Sequence, residues 1–324
     1  MSAFSDQLLV ATVLCYLVAM VCHAAEYAFG ARGAVGRAAA RPERALVTAG
    51  APPPATPEVV APDRPAAPTQ PRPAALAGRA AATAMVLGAG AHLATLVTRG
   101  LAAERAPWGN MYEYLLSASF VGAVAWLLVL WRRPALRHLG LYVALVNVLL
   151  LGLAGTVLYT PIAPLQPALN STWLLIHVAA AVLSSGIFLI GFLAAAAYLI
   201  RTGYDTGRRR FPYPIGLRLP AAETLERLTF RLHAFAFPIW TFAALIAGPI
   251  WAEAAWGRYW GWDPKEVWAF ITWVIYAAYL HARATPSVRR GTAAWLAVAG
   301  WVSMLMNLFG VNIFLTGLHS YAGL

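Results

Sequence analysis

Charge is scarce in this sequence: 11% of its 324 residues are Asp, Glu, Lys or Arg, against 60% hydrophobic. That balance excludes an ordinary soluble domain and belongs to a chain that lives in lipid. Cysteine is nearly absent. Cys15 and Cys22 both fall in the first apolar run, so no CxxC pair, zinc-ligand spacing or extracytoplasmic disulfide is available. Any thiol or redox chemistry must therefore come from a partner. No basic residue precedes that first run, residues 6–30, which reads as a retained helix rather than a cleaved signal. The net charge of +11 is dispersed over several loops with no groove-reading motif, which excludes nucleic acid as the partner.

Long apolar runs are what the sequence has. A bilayer core about 30 Å thick needs about 20 apolar residues per helix. Eight runs meet this, at 6–30, 79–102, 112–131, 138–158, 172–200, 228–251, 266–282 and 292–316. Lipid leaves no partner for an unpaired backbone, so the expected fold is all-α, a polytopic bundle of about eight transmembrane helices. Of the 24 basic residues, only Arg99, Arg105, Arg258 and Lys265 lie at one set of alternating helix ends. Basic loops stay cytoplasmic, which predicts that both termini and the 253–268 segment are extracytoplasmic.

Residues 31–77 are rich in Ala, Pro and Arg without an amphipathic period, and read as a disordered cytoplasmic linker. It separates a first transmembrane helix (1–30) from a seven-helix core (78–324). Two outer connections carry carboxylates among aromatic residues: "ERAPWGNMYEY" at 104–114 and "WGRYWGWDPKEVW" at 256–268. A third, 158–172, has no charge at all.

The second connection packs four tryptophans into thirteen positions. Taken singly, a tryptophan such as Trp108, Trp131 or Trp173 is an interfacial belt anchor. Four together, broken by Gly257 and Gly261 and followed by Asp-Pro, suit a binding shelf. The glycines permit close backbone approach, Pro264 suits the first turn of a helix, and Asp263 suits its cap. His177 lies about 9 Å below the outer start of the 172–200 run, and His319 just beyond the outer end of the last run. These two imidazoles, 142 residues apart, are expected to face one another beside the aromatic shelf, as the axial ligands of a haem iron would. Arg258 or Lys265 would then pair with its propionates. His281 falls near the opposite end of the 266–282 run, and its role divides evenly between ligand and headgroup contact. His92 is a further candidate, His138 and His233 read as inner-interface residues, and His23 has no assignment.

"WGRYWGWDPKEVWAFITWVIYAAYLHAR" resembles the WWD signature, W-G-x-x-W-x-W-D, of the CcsA family of cytochrome c biogenesis proteins, called CcsB or ResC in some bacteria. Trp256, Gly257, Trp260, Trp262 and Asp263 meet it. The similarity continues through "LLIHVAAAVLSSGIF" and "FGVNIFLTGLHSYAGL", covers 171–324 strongly and thins out before that. The resemblance implies presentation of haem b at the extracytoplasmic face of the bacterial cell membrane, for thioether attachment to the CxxCH of apocytochrome c. It implies haem held by the WWD segment with His177 and His319 as axial ligands, and a second haem position at His281. The opposing ligand there would come from a ResB/CcsB-type partner, whose large extracytoplasmic domain this chain lacks. The chain would be one subunit of a cytochrome c haem lyase (synthase) complex. The competing reading is a haem-b electron-transfer subunit, in which His177, His319, His281 and His92 would hold permanent haems.

Overall fold

The computed structural model describes residues 2–30, 72–165 and 169–319. Every regular element among them is helical. Eight helices follow in order: α1 (Ser2–Phe29), α2 (Arg72–Ala103), α3 (Met111–Arg132), α4 (Gly140–Thr156), α5 (Thr172–Asp205), α6 (Ala222–Trp256), α7 (Pro264–Ala284) and α8 (Arg290–Phe314). Seven are long and apolar enough to cross a membrane, α4 being extended by the 3-10 turn Pro134–Leu139. The remaining one, α7, is long enough at 21 residues but is diluted by Lys265, Glu266, His281 and Arg283. The all-α multi-pass architecture expected from hydropathy is what forms.

Most of the expected linker lies outside the described residues. Its last part, 72–77, instead forms the first turns of α2, where Pro73 suits the opening of a helix and the alanines that follow favour its continuation.

Helix α5 is the axis of the bundle. Two thirds of its most apolar window is buried, 67% against 28% for α1, and it packs against α3, α6 and α8. Buried small residues on α2 (Ala74, Gly78, Ala81, Gly88) form the seam on which α1 docks. This is how helices associate where lipid removes the hydrophobic drive between them.

The two ends of the bundle are built differently. At one end Glu113 accepts from Arg99 Nε at 2.9 Å, from Arg105 Nη1 at 2.6 Å and from the Gly109 N–H at 2.8 Å. Arg99 also donates to the Thr160 carbonyl and lies over the Tyr112 ring, tying α2, α3 and the 157–171 connection together. Asn110 caps α3 there, and Ser171 caps α5. The opposite end gathers most of the arginines. Arg137 pairs with Glu26, Arg283 pairs with Glu226, and Arg201 donates to the carbonyls of Gly216 and Leu219.

Candidate functional site

Helix α6 is not a regular α-helix where it passes α5. Pro249 has no N–H to return to Leu245, and the chain takes one π-turn, Ala243–Ala247, with the Gly248 N–H bonded to the Ala243 carbonyl. That carbonyl also reaches His177 Nδ1, at 2.9 Å. A carbonyl only accepts, so Nδ1 carries the proton and Nε2 presents a lone pair. Gly248 leaves room beside it: a Cβ at this position would stand 3.1 Å from the imidazole and from the Ala243 carbonyl, close enough to push on both.

His319 is held in a parallel way by a different element. Its Nδ1 donates to Asp263 Oδ2 at 2.9 Å, and the Leu318 N–H donates to Asp263 Oδ1 at 2.6 Å. Asp263 is also the cap of α7: it accepts from the Lys265 N–H, while Glu266 accepts from the N–H groups of Asp263 and Gly261. This is a complete capping box. Burial alone would raise the Asp263 carboxyl. The hydrogen bonds from His319, Leu318 and Lys265 outweigh it and hold the group below its ordinary value. One side chain thus fixes both the start of α7 and the orientation of His319.

Trp251, almost fully buried, is in contact with both imidazoles. His177 stacks on it, with centroids 5.8 Å apart and planes 15° from parallel, and His319 meets it edge-on at 5.5 Å. Trp256 meets both His319, at 4.9 Å, and Trp251, at 4.8 Å, so the three rings form one cluster. His177, His319, Trp251, Trp260, Trp108 and Lys265 line one predominantly apolar cavity, which continues down α5 as far as Leu189. That depth is about 18 Å below His177 at the helical rise. Among the described residues no three His, Cys, Asp or Glu side chains converge as a metal site. The donor set is therefore two imidazoles, each with Nδ1 already engaged by an acceptor, the arrangement that orients histidine as a metal ligand. It suits an iron whose other ligands come from a macrocycle.

The sequence expectations fare unevenly. His177, His319, Trp256, Trp260 and Asp263 lie together at one end of the bundle. Gly257 terminates α6 in the left-handed region, φ 70°, as a C-cap rather than as an approach point. Trp262 is 68% exposed with φ 57° and sits at the rim. His281 is exposed near the far end of α7, about 27 Å along the helix from Asp263. His233, read as an interfacial residue, is fully buried among Phe188, Tyr276 and Tyr279. Arg231, two residues earlier, is exposed, because a helix turns residues two apart about 200° from one another. His92 is likewise buried, within hydrogen-bonding reach of Tyr16. Trp108, read as a belt anchor, lines the cavity and donates to Ser117 Oγ at 3.1 Å. Trp251 was missed altogether, its only sequence signal being the Gly248-Pro249 break just ahead of it.

Residues 108–319 match the family described as Cytochrome C assembly protein. The cytochrome c biogenesis protein CcsA of Guillardia theta is 36% identical over 245 residues, 71% of this chain and 81% of that protein. The CcsA of Picosynechococcus sp. is 33% identical over 285 residues, 71% of this chain and 84% of its own length. That of Gloeothece citriformis is 37% identical over 201 residues, 49% of this chain and 61% of its own length.

Proposed function

The chain belongs to the cytochrome c assembly protein family and acts in cytochrome c maturation; from that premise we propose that it binds haem b between His177 and His319 and presents it to apocytochrome c. The observation that carries this reading is the matched treatment of the two imidazoles, each oriented through Nδ1 by an acceptor from another element. Nε2 of each then serves as an axial ligand. Trp251 and Trp260 would provide apolar walls that keep water from the ring, Trp256 packs against His319, and Trp262 at the rim would cover the outer edge.

For attachment the haem vinyl groups would face the two thiols of an incoming CxxCH, with the iron reduced. Each thiol adds its S–H across a vinyl C=C, forming one C–S bond and one C–H bond with no net oxidation. The histidine of CxxCH then replaces one of the two imidazoles, which couples attachment to release.

The site lies at the outer face of the bacterial cell membrane in this reading, because the arginine-rich connections crowd the opposite end of the bundle. His281, exposed on α7 at that arginine-rich end, would share a second haem with a ResB/CcsB-type subunit, with haem passing from there to the outer site. Together the two subunits form the haem lyase complex. The test is cytochrome c assembly in cells carrying His177→Ala or His319→Ala. Each should abolish it, with partial recovery when imidazole is added to the medium. Normal assembly in both variants would remove the outer site from the mechanism.

A further inference from the structure

One side chain in the cavity is given no role by imidazole ligation. Lys265 is the only lysine among the 24 basic residues, the rest being arginines. It lies in the first turn of α7, lines the cavity together with His177 and His319, and donates from Nζ to the Asn307 carbonyl at 3.1 Å. That carbonyl belongs to a second π-turn, Met306–Gly310, in α8.

The two carboxylates nearest in sequence are already committed. Asp263 accepts from His319, Leu318 and the Lys265 backbone, and Glu266 accepts from the backbone of Gly261 and Asp263. Among the described residues no carboxylate forms an ion pair with Lys265. An ammonium in a part-buried, largely apolar cavity, with one neutral acceptor and Asp263 acting on it only through space, is incompletely compensated. Nearby, the Asn307 side-chain oxygen is also buried without a partner, and rotation of its terminal amide would turn an N–H to the same place. Arg258, the other cation of this segment, is exposed and lines no part of the cavity.

We propose that Lys265 is the anion-binding residue of the cavity and takes a propionate carboxylate of the iron porphyrin, with Asn307 beside it. This rests on the reading of His177 and His319 as iron ligands. Lysine suits a cargo that must leave, because a mobile point charge holds a carboxylate less rigidly than the bidentate fork of arginine.

The test uses the full chain in detergent, titrated with iron protoporphyrin IX and with its dimethyl ester, which lacks both carboxylates. Absorption reads iron ligation, and acetylation of the single lysine, read by mass spectrometry, reports the ammonium directly. The free acid should bind roughly tenfold or more tighter than the diester, as expected for a charged hydrogen bond, and should protect Lys265, whereas the diester leaves it reactive. Lys265→Met should bind both porphyrins with one affinity, and Lys265→Arg should restore the preference. Retained preference in Lys265→Met, or a Lys265 as reactive with the free acid bound as without it, overturns the assignment while leaving the imidazole site intact. A spectrum that does not depend on His177 and His319 overturns both.

Discussion

Asp263 accepts a hydrogen bond from His319 across 56 positions of sequence while capping the helix that begins one residue later. The same carboxylate therefore has a folding task and a site task, and substitution separates them. Asparagine caps a helix about as well as aspartate. Asp263→Asn should keep α7 and leave thermal stability within about 1 kcal/mol of wild type, yet weaken haem retention, because His319 loses its charged acceptor. Asp263→Ala should lose both, with a lower melting temperature in detergent as the readout.

The depressed Asp263 pKa also sets a direction with pH. Its folded value lies below the unfolded one, so its contribution is complete above the ordinary aspartate range and disappears as pH falls through the folded value. Acid unfolding monitored in wild type and Asp263→Asn should show the shallower slope in the variant. Equal slopes would mean that the carboxylate is not held by these hydrogen bonds.

Gly248→Ala places a methyl group against the His177 imidazole without touching the histidine itself. The chain should insert and fold, and its haem absorption should resemble that of His177→Ala. A wild-type spectrum in this variant would show that the π-turn does not set the position of His177.

Glu113 is fully buried between Arg99 and Arg105. Removing its charge leaves Arg99, itself 1% exposed, without its anion. Glu113→Gln should therefore destabilise the protein by about 3 to 5 kcal/mol, the range for breaking a buried pair, measurable as a fall in melting temperature. Replacing Glu226 at the other end should cost less, because its partner Arg283 is 23% exposed and the pair is partly solvated.

His233 tests the boundary of the site. It is buried below the cavity, outside its lining. His233→Phe should preserve the haem spectrum and cytochrome c assembly while lowering stability by about 1 to 3 kcal/mol, because a larger ring must fit against Gly191 and the hydrogen bond to the Thr229 carbonyl is lost. Loss of the spectrum would extend the haem site to the bundle centre.

The eight helices were legible because the signals are local: apolar runs of bilayer length, and caps such as Asp263-Pro264 that declare themselves within a few residues. His177 and His319 could be assigned to one face because alternating arginine-rich loops order the helix ends without any tertiary information. Trp251 and the Ala243 carbonyl could not be found this way. Both depend on the register of α6 after its π-turn, which is decided by packing against α5. The burial of His233 and His92 is likewise a property of which helix face meets which neighbour. Lys265 was visible as a charge in an aromatic segment, yet its preference over Arg258 emerges only once the cavity and the commitments of Asp263 and Glu266 are known.

The most direct test is the absorption spectrum of the chain purified with its membrane partner, for wild type, His177→Ala and His319→Ala, with and without added imidazole. Bis-imidazole ligation predicts a low-spin haem spectrum in wild type, its loss or shift in each variant, and its return when imidazole fills the vacancy. A wild-type spectrum in both variants would contradict the assignment and leave the tryptophans of residues 256–268 as an interfacial belt.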